Sequence, residues 1–325
     1  MVGEHWYCLR RCILQRIDDR LQPGPRVLDA VRKSDGEMVM LKQISRLVHP
    51  NEIPIGQYLS SPPLASDPRN HCCPVLDVLQ DPTNADSQIL VMPLLKEFND
   101  PPQLTVGEAV DFFRQAFEVR RHCPFRSCLL TVCQGLQFIH EHHVAHRYVC
   151  SVLGACNARL IRIQYSDCMR LNIMIDPRDM FPDMFHPVAR QLDRDVVGPA
   201  KWRSRTMYPS RYYWTDFGLS CRYDANDTNP LEVPIIGGDR TVPEYLENEV
   251  TPRNPFHTDV YMLGNLVRRD FLQVRLCAVS SMPILNFLPF IGLLELNVHG
   301  AFDCFNGCRQ TRRAHHYGRS GARAG

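Results

Sequence analysis

Three short clusters between His140 and Gly218 hold residue types that can do phosphoryl-transfer chemistry: His146-Arg147, Asp167-Cys-Met-Arg-Leu-Asn172 and Asp216-Phe217-Gly218. An acid, an Asn five residues on and a second acid ahead of Phe-Gly could divide the work of such a site. The first acid orients an attacking hydroxyl, and the Asn and the later acid hold magnesium against nucleotide phosphates through hard oxygen ligands. Read as His-Arg-Asp-x-x-x-x-Asn, the first motif is interrupted, because Tyr148 to Ser166 lies between Arg147 and Asp167. Lifting those residues out restores His-Arg-Asp-Cys-Met-Arg-Leu-Asn in frame. Upstream, Lys42 stands on the apolar stretch Val39-Met40-Leu41, where a lysine either snorkels from a strand or grips phosphates. Glu52 could face it; otherwise it is a solvated acid favoured by a helix N-terminus.

The elements that must position these residues read as α+β. Arg26 to Arg32 and Met38 to Ile44 predict two strands joined at Ser34-Asp35-Gly36-Glu37, a hairpin turn. Glu52 to Ser60 predicts a helix with Asn51 as its cap. Pro74 to Leu79 and Ser87 to Leu95 predict two more strands, and Met92-Pro93-Leu94-Leu95 then stands where two lobes would be connected. Thr105 to His142 ought to be one helix, with Val110, Phe113 and Phe117 on one face, but the pattern dissolves at Arg120 and Pro124 would break it. With 119–134 removed, Leu136 and Ile139 resume the stripe at helical spacing.

Composition isolates the same interruptions. Segments 119–134, 148–166 and 274–325 contain two of the 35 acids, Glu295 and Asp303, no lysine, and eight of the 14 cysteines. Such a patchwork is unlike one globular chain under one compositional regime. Val119 must begin with GT and Gln134 can end in AG, and the ends of 148–166 permit the same reading one base out of frame. Both inserts are therefore expected to be short introns retained in frame. Val274-Arg275 repeats the start Val119-Arg120, so 274–325 is expected to be an out-of-frame or non-native tail. Genuine surface insertions are the alternative. The domain organisation expected is an N-terminal extension over 1–25, a small lobe and connection over 26–95, and a large lobe over 96–273.

A net charge of +2 argues for neither nucleic acid nor a membrane surface as partner. No basic segment followed by an apolar run opens the chain, and the cysteines suggest reduced thiols. A cytoplasmic or nuclear, not secreted, protein is expected. The apolar run 278–294 contains Pro283, Asn286 and Pro289 and is not expected to span a membrane.

With the inserts set aside, Gly135-Leu-Gln-Phe-Ile-His-Glu-His-His-Val-Ala-His-Arg147, Asp167 to Asp176 and Tyr213-Trp-Thr-Asp-Phe-Gly-Leu-Ser220 resemble the eukaryotic protein kinase superfamily. Met184-Phe-His-Pro187 and Ile235-Ile-Gly-Gly-Asp-Arg-Thr-Val-Pro-Glu244 are similar to the protein-kinase-like families of mushroom-forming (basidiomycete) fungi. The resemblance covers about residues 25–273. It implies a two-lobed fold, a β-rich small lobe and a mainly helical large lobe whose C-terminal helices are missing or altered. It also implies transfer of the ATP γ-phosphate to a protein hydroxyl, Ser/Thr by family expectation, with Mg2+.

By that resemblance Asp167 would be the catalytic base, and Asn172 and Asp216 would hold magnesium. Lys42 would contact the α- and β-phosphates and pair with Glu52. Pro93 and Leu95 would meet adenine through one carbonyl and one amide. Val242-Pro243-Glu244 would correspond to the Ala-Pro-Glu motif, and Asp259 to the buried helix acid that holds the catalytic loop's backbone. The chain departs from the family in having no Gly-x-Gly-x-x-Gly ahead of Lys42, Met169 in place of the usual Lys, and Gly237-Gly238 in place of Gly-Thr.

Two other readings use the same acids. A pseudokinase or nucleotide-binding scaffold fits the missing glycine loop but not the presence of all three acid-site residues, and a small-molecule phosphotransferase shares the Asp, Asn, Asp set, against which Phe217-Gly218 and Val242-Pro243-Glu244 argue. His140, His142, His143 and His146 suggest a third, a zinc site with His142 and His146 on one face, although His-Glu-x-x-His is not spelled. The alternative for His146 is a packing role ahead of Arg147.

Overall fold

The computed structural model describes residues 7–9, 27–116, 135–147, 172–233, 251–267 and 271. Asp167, both inserts, Gly237-Gly238, Val242-Pro243-Glu244, the tail 274–325 and the run 278–294 lie outside the described residues. What is described is mixed α+β. A five-stranded antiparallel sheet runs in the order β1 (Tyr7–Leu9), β2 (Val27–Arg32), β3 (Met38–Ser45), β5 (Ser87–Pro93), β4 (Asp77–Gln80). The segment 1–25, read from sequence as an extension, thus supplies the sheet's edge strand. Gly36 at the β2–β3 turn has φ +75°, a left-handed conformation that glycine adopts without steric cost.

Alternation along β3 divides its side chains between two apolar clusters. Val39 and Leu41 pack with Ala30 and Val91, while Ile44 packs with Leu90 and with Ile53 of helix α1 (Glu52–Leu59). Lys42 shares the Ile44 face by the period of two. The strand therefore delivers it towards α1. Asn51 does not cap α1 as expected: it lies in the right-handed helical region and makes no side-chain cap bond.

The larger core forms around Trp214 on β9 (Tyr212–Trp214), an edge of a sheet of three short strands. β9 pairs with β8 (Ile173–Ile175), and β8 with β6 (Lys96–Glu97). Phe98, Phe112 of α2 (Val106–Ala116), Phe138 of α3 (Gly135–Glu141), Tyr212 and Phe185 fill the interior. Burying each such ring contributes about 1.5–3 kcal/mol. Helix α4 (Pro255–Val267) adds Met262, Leu263 and Leu266 to this core, its start capped by Asn254 Oδ1 accepting from the Phe256 amide at 3.0 Å. A second pair of strands, β7 (Val144–Ala145) and β10 (Cys221–Arg222), brings the end of α3 to the segment after Phe-Gly. Among the described residues no helix is long and apolar enough to cross a membrane.

Within 105–142, expected as one helix, the described residues form two, α2 and α3. A Cβ on Gly135 would lie 2.8 Å from the Gln115 carbonyl and 2.6 Å from Trp214 Nε1. The residues on either side of 119–134 are therefore in contact. Between β8 and β9 the chain makes an excursion from Asp176 to Arg211, closed at its base by the Asp176 amide on the Arg211 carbonyl at 2.8 Å.

Candidate functional site

Lys42, Glu52 and Asp216, from three separate elements, meet at one ammonium. Lys42 Nζ lies 2.5 Å from Glu52 Oε1 and 2.9 Å from Asp216 Oδ1. Lys42 and Glu52 are buried, whereas Asp216 is exposed. Desolvation opposes the charge on Lys42, but Asp216 and Glu52 outweigh it and raise its pKa. Burial pushes the Glu52 carboxyl up against the pull of Lys42. For Asp216, whose side chain is 49% exposed, the surrounding protein still opposes the charge, yet Lys42 more than compensates and its pKa is lowered. The buried lysine is thus held charged, facing an acid that is open to solvent.

Asp216 has φ 60° and ψ 68°, the left-handed region, which costs a non-glycine residue roughly 1–2 kcal/mol. It opens the 3₁₀ turn Phe217–Leu219, and its Oδ1 accepts from the Gly218 amide at 3.4 Å. Among the described residues the hydrogen bonds it accepts fall on Oδ1. Asn172 is buried immediately before β8, and its carbonyl accepts from the Thr215 amide at 2.9 Å. The backbone of Asn172 is thereby joined to the residue before Asp216. A carboxylate and a carboxamide oxygen are hard donors, and with water and phosphate oxygens they suit Mg2+ better than a softer metal.

Behind this pair, Asp259 of α4 organises the backbone that leads into the interrupted motif. It is 2% exposed, and it accepts from the amides of His146 and Arg147, each at 2.7 Å, and from His140 Nε2 at 2.9 Å. Arg147 sits at φ 56°, held there by that carboxylate. His146 is buried between Trp214 and Phe217, with Nε2 donating to the Thr215 carbonyl at 2.9 Å and Ser220 Oγ donating to its own carbonyl. Burial lowers its pKa, so it is a neutral packing group. The zinc reading loses its ligands to these bonds. His140 goes to Asp259, His142 Nδ1 to the Phe138 carbonyl at 2.7 Å, and His146 to Thr215. Among the described residues no group of three His, Cys, Asp or Glu could hold a metal.

Pro93 ends β5 opposite Val39, and Leu95 follows, 3% exposed. The Leu95 carbonyl accepts from Arg190 Nη1 at 3.4 Å, which leaves its amide as the group the adenine expectation calls on. Arg190 belongs to the excursion, whose role sequence reasoning missed. Lys96, 1% exposed, donates to Asp100 Oδ2 at 2.6 Å and to the Arg190 carbonyl at 2.9 Å, with Phe181 and Phe185 rings beside its ammonium. Arg205 donates to the carbonyls of Phe98 and Pro101, and Glu108 accepts from the amide and hydroxyl of Thr206. Buried charges from both sides fasten the excursion to residues 95–108. The signal available in the sequence was charge among aromatics, Lys96 against Phe181 and Phe185, which lacks any period.

No protein-family model and no curated protein matches the chain.

Proposed function

We propose that the chain is a protein kinase, a phosphotransferase that moves the ATP γ-phosphate to a hydroxyl of a protein substrate. The observation that carries this reading is the junction at Lys42: a strand lysine bonded at once to a buried helix glutamate and to the acid before Phe-Gly. In this reading the five-stranded sheet with α1 is the small lobe and α2, α3 and α4 belong to the large lobe. The lobes meet at Pro93 and Leu95. The Asp259 bonds to His146 and Arg147, and the close approach of Gly135 in α3 to Gln115 in α2, support it further.

Asn172 and Asp216 would hold Mg2+, which supplies charge neutralisation between the phosphates. Lys42, kept protonated by two carboxylates, would bind the α- and β-phosphates, and Glu52 keeps the ammonium from swinging away. Backbone groups of Pro93 and Leu95 would orient the adenine. Asp167 would take the role of base towards the substrate hydroxyl. Positioning and electrostatics carry most of phosphoryl-transfer catalysis, and these residues supply both.

A second reading, a nucleotide-binding scaffold, is favoured by one feature of the sequence: no Gly-x-Gly-x-x-Gly precedes Lys42. Phosphate transfer from Mg-ATP to a generic protein substrate separates the two. The full chain and a shortened chain lacking 119–134 and 148–166 are compared, each with Asp167→Asn. Turnover abolished by Asp167→Asn supports the kinase. Nucleotide binding without turnover in both chains supports the scaffold, and absence of both refutes the site.

A further inference from the structure

The head of α1 is joined to the turn after Asp216 by two side chains with no role in the chemistry above. His49 Nδ1 lies 3.0 Å from the Gly218 carbonyl, and since a carbonyl only accepts, this nitrogen carries the proton. Asn51 Nδ2 donates to the Ser220 carbonyl at 3.3 Å, which explains why Asn51 is not a helix cap. Between them the backbone is tight. A Cβ on Gly218 would stand 3.1 Å from Glu52 Oε2, 3.1 Å from His49 Nδ1 and 3.2 Å from Asp216 Oδ1. Glu52 Oε2 itself is buried and, among the described residues, accepts no hydrogen bond. Among those residues Lys42 is what holds the carboxylate, and its place depends on where α1 is held.

We propose that His49 and Asn51 are positioning residues that tether α1 to the Gly218–Ser220 backbone, presetting the Lys42–Glu52 pair and the left-handed Asp216 before nucleotide and metal arrive. This rests on the phosphoryl-transfer reading of the site. Neither side chain touches the phosphates; both act through Glu52 and Asp216. Two carbonyls two residues apart, each held from the same α1 entry loop, fix the turn against rotation as one bond could not. Without them Asp216 is free to relax towards the commoner right-handed or extended conformations, and its carboxylate leaves the Asn172 side.

The test uses the full chain with His49→Ala, Asn51→Ala and His49→Gln, the last retaining an N–H that can reach the Gly218 carbonyl. Hydrogen exchange in the nucleotide-free protein reads the tether directly. The Ala variants are expected to raise exchange of the peptide covering 212–222 about tenfold, the factor of one ordinary hydrogen bond, while the β5 peptide stays unchanged. Calorimetry of ATP binding against Mg2+ concentration reads its purpose. The Mg2+ needed for half-maximal binding should rise about tenfold in the Ala variants, ATP affinity without Mg2+ should fall by less, through the Lys42–Glu52 pair alone, and His49→Gln should restore most of the loss.

Unchanged exchange at 212–222 overturns the tether. So does an equal loss of ATP affinity with and without Mg2+, or a His49→Gln variant no better than His49→Ala. An unsubstituted chain that binds no Mg-ATP overturns the proposed function and the tether's purpose together. The exchange result still reports separately whether the tether exists.

Discussion

Replacing Asp259 with Ala removes the acceptor for two buried amides, and the cost can be worked from the geometry. The His146 and Arg147 amides each lie 2.7 Å from a carboxylate that is 2% exposed, and no water can replace it without opening the core. Each buried N–H left without an acceptor costs about 1–3 kcal/mol. Two cost about 2–6 kcal/mol, against a total stability of about 5–15 kcal/mol for a typical folded protein. Arg147 would also lose what holds it at φ 56°. Asp259→Asn keeps the shape and one acceptor oxygen, so about half the loss is expected, because its Nδ2 then confronts an N–H donor. The assay is urea unfolding followed by tryptophan fluorescence, since Trp214 packs on His146 5.1 Å away between ring centres. The midpoint should fall in the order wild type, Asp259→Asn, Asp259→Ala, with an unchanged urea slope. A loss below about 1 kcal/mol for Asp259→Ala would refute the reasoning, because amides held so closely and so far from solvent could not then have depended on this carboxylate.

Gly135→Ala should destabilise by about 1–3 kcal/mol, because the new Cβ would stand 2.6 Å from Trp214 Nε1 and 2.8 Å from the Gln115 carbonyl; a neutral substitution in thermal unfolding would contradict the contact between α2 and α3. Burial opposes the charge on Glu108, but bonds from the Leu104 amide and from Thr206 outweigh it and lower its pKa from 4.5. A depressed folded pKa contributes stability above the unfolded value that is lost as pH falls. Glu108→Gln should therefore cost about 2 kcal/mol near neutrality, and the gap to wild type should close below pH 4.5 in acid-unfolding curves. Burial pushes the Cys73 thiol up to about 12 and that of Cys72 higher still, whereas Cys221 is partly exposed. Peptide mapping after alkylation near pH 8 should find Cys221 labelled and Cys72 and Cys73 labelled only after denaturant is added.

The parts of the fold that sequence made legible are those where one local rule dominates. The β2–β3 hairpin follows from alternating apolar residues around Gly36, and the Lys42–Glu52 pair follows from a lysine on the face of β3 that packs against α1. Asp259 was singled out through the resemblance of Thr258-Asp-Val-Tyr-Met-Leu-Gly264 to a family motif, and its burial with bonds to the His146 and Arg147 amides could be seen only in the structure. Asn51 was misread because a cap and a tether use the same residue type, and only the neighbouring Ser220 carbonyl decides between them. The edge strand at Tyr7–Leu9 is too short to carry a period of its own. The excursion from Asp176 to Arg211 was illegible for a different reason. Its order comes from Lys96, Arg190 and Arg205 bonded to backbone carbonyls across the chain, and such bonds leave no periodic trace.

Calorimetric titration of the full chain with ATP in the presence of Mg2+, beside Lys42→Met and Asp216→Asn, addresses the central claim most directly. Binding by the unsubstituted chain is expected to depend on Mg2+. Asp216→Asn should lose that dependence, and Lys42→Met should weaken binding with or without the metal, since in the proposed site the buried ammonium would face the phosphates directly. Mg-ATP binding that is indifferent to both substitutions, or no binding to any of the three proteins, would contradict the assignment of a phosphoryl-transfer site to Lys42, Glu52, Asn172 and Asp216.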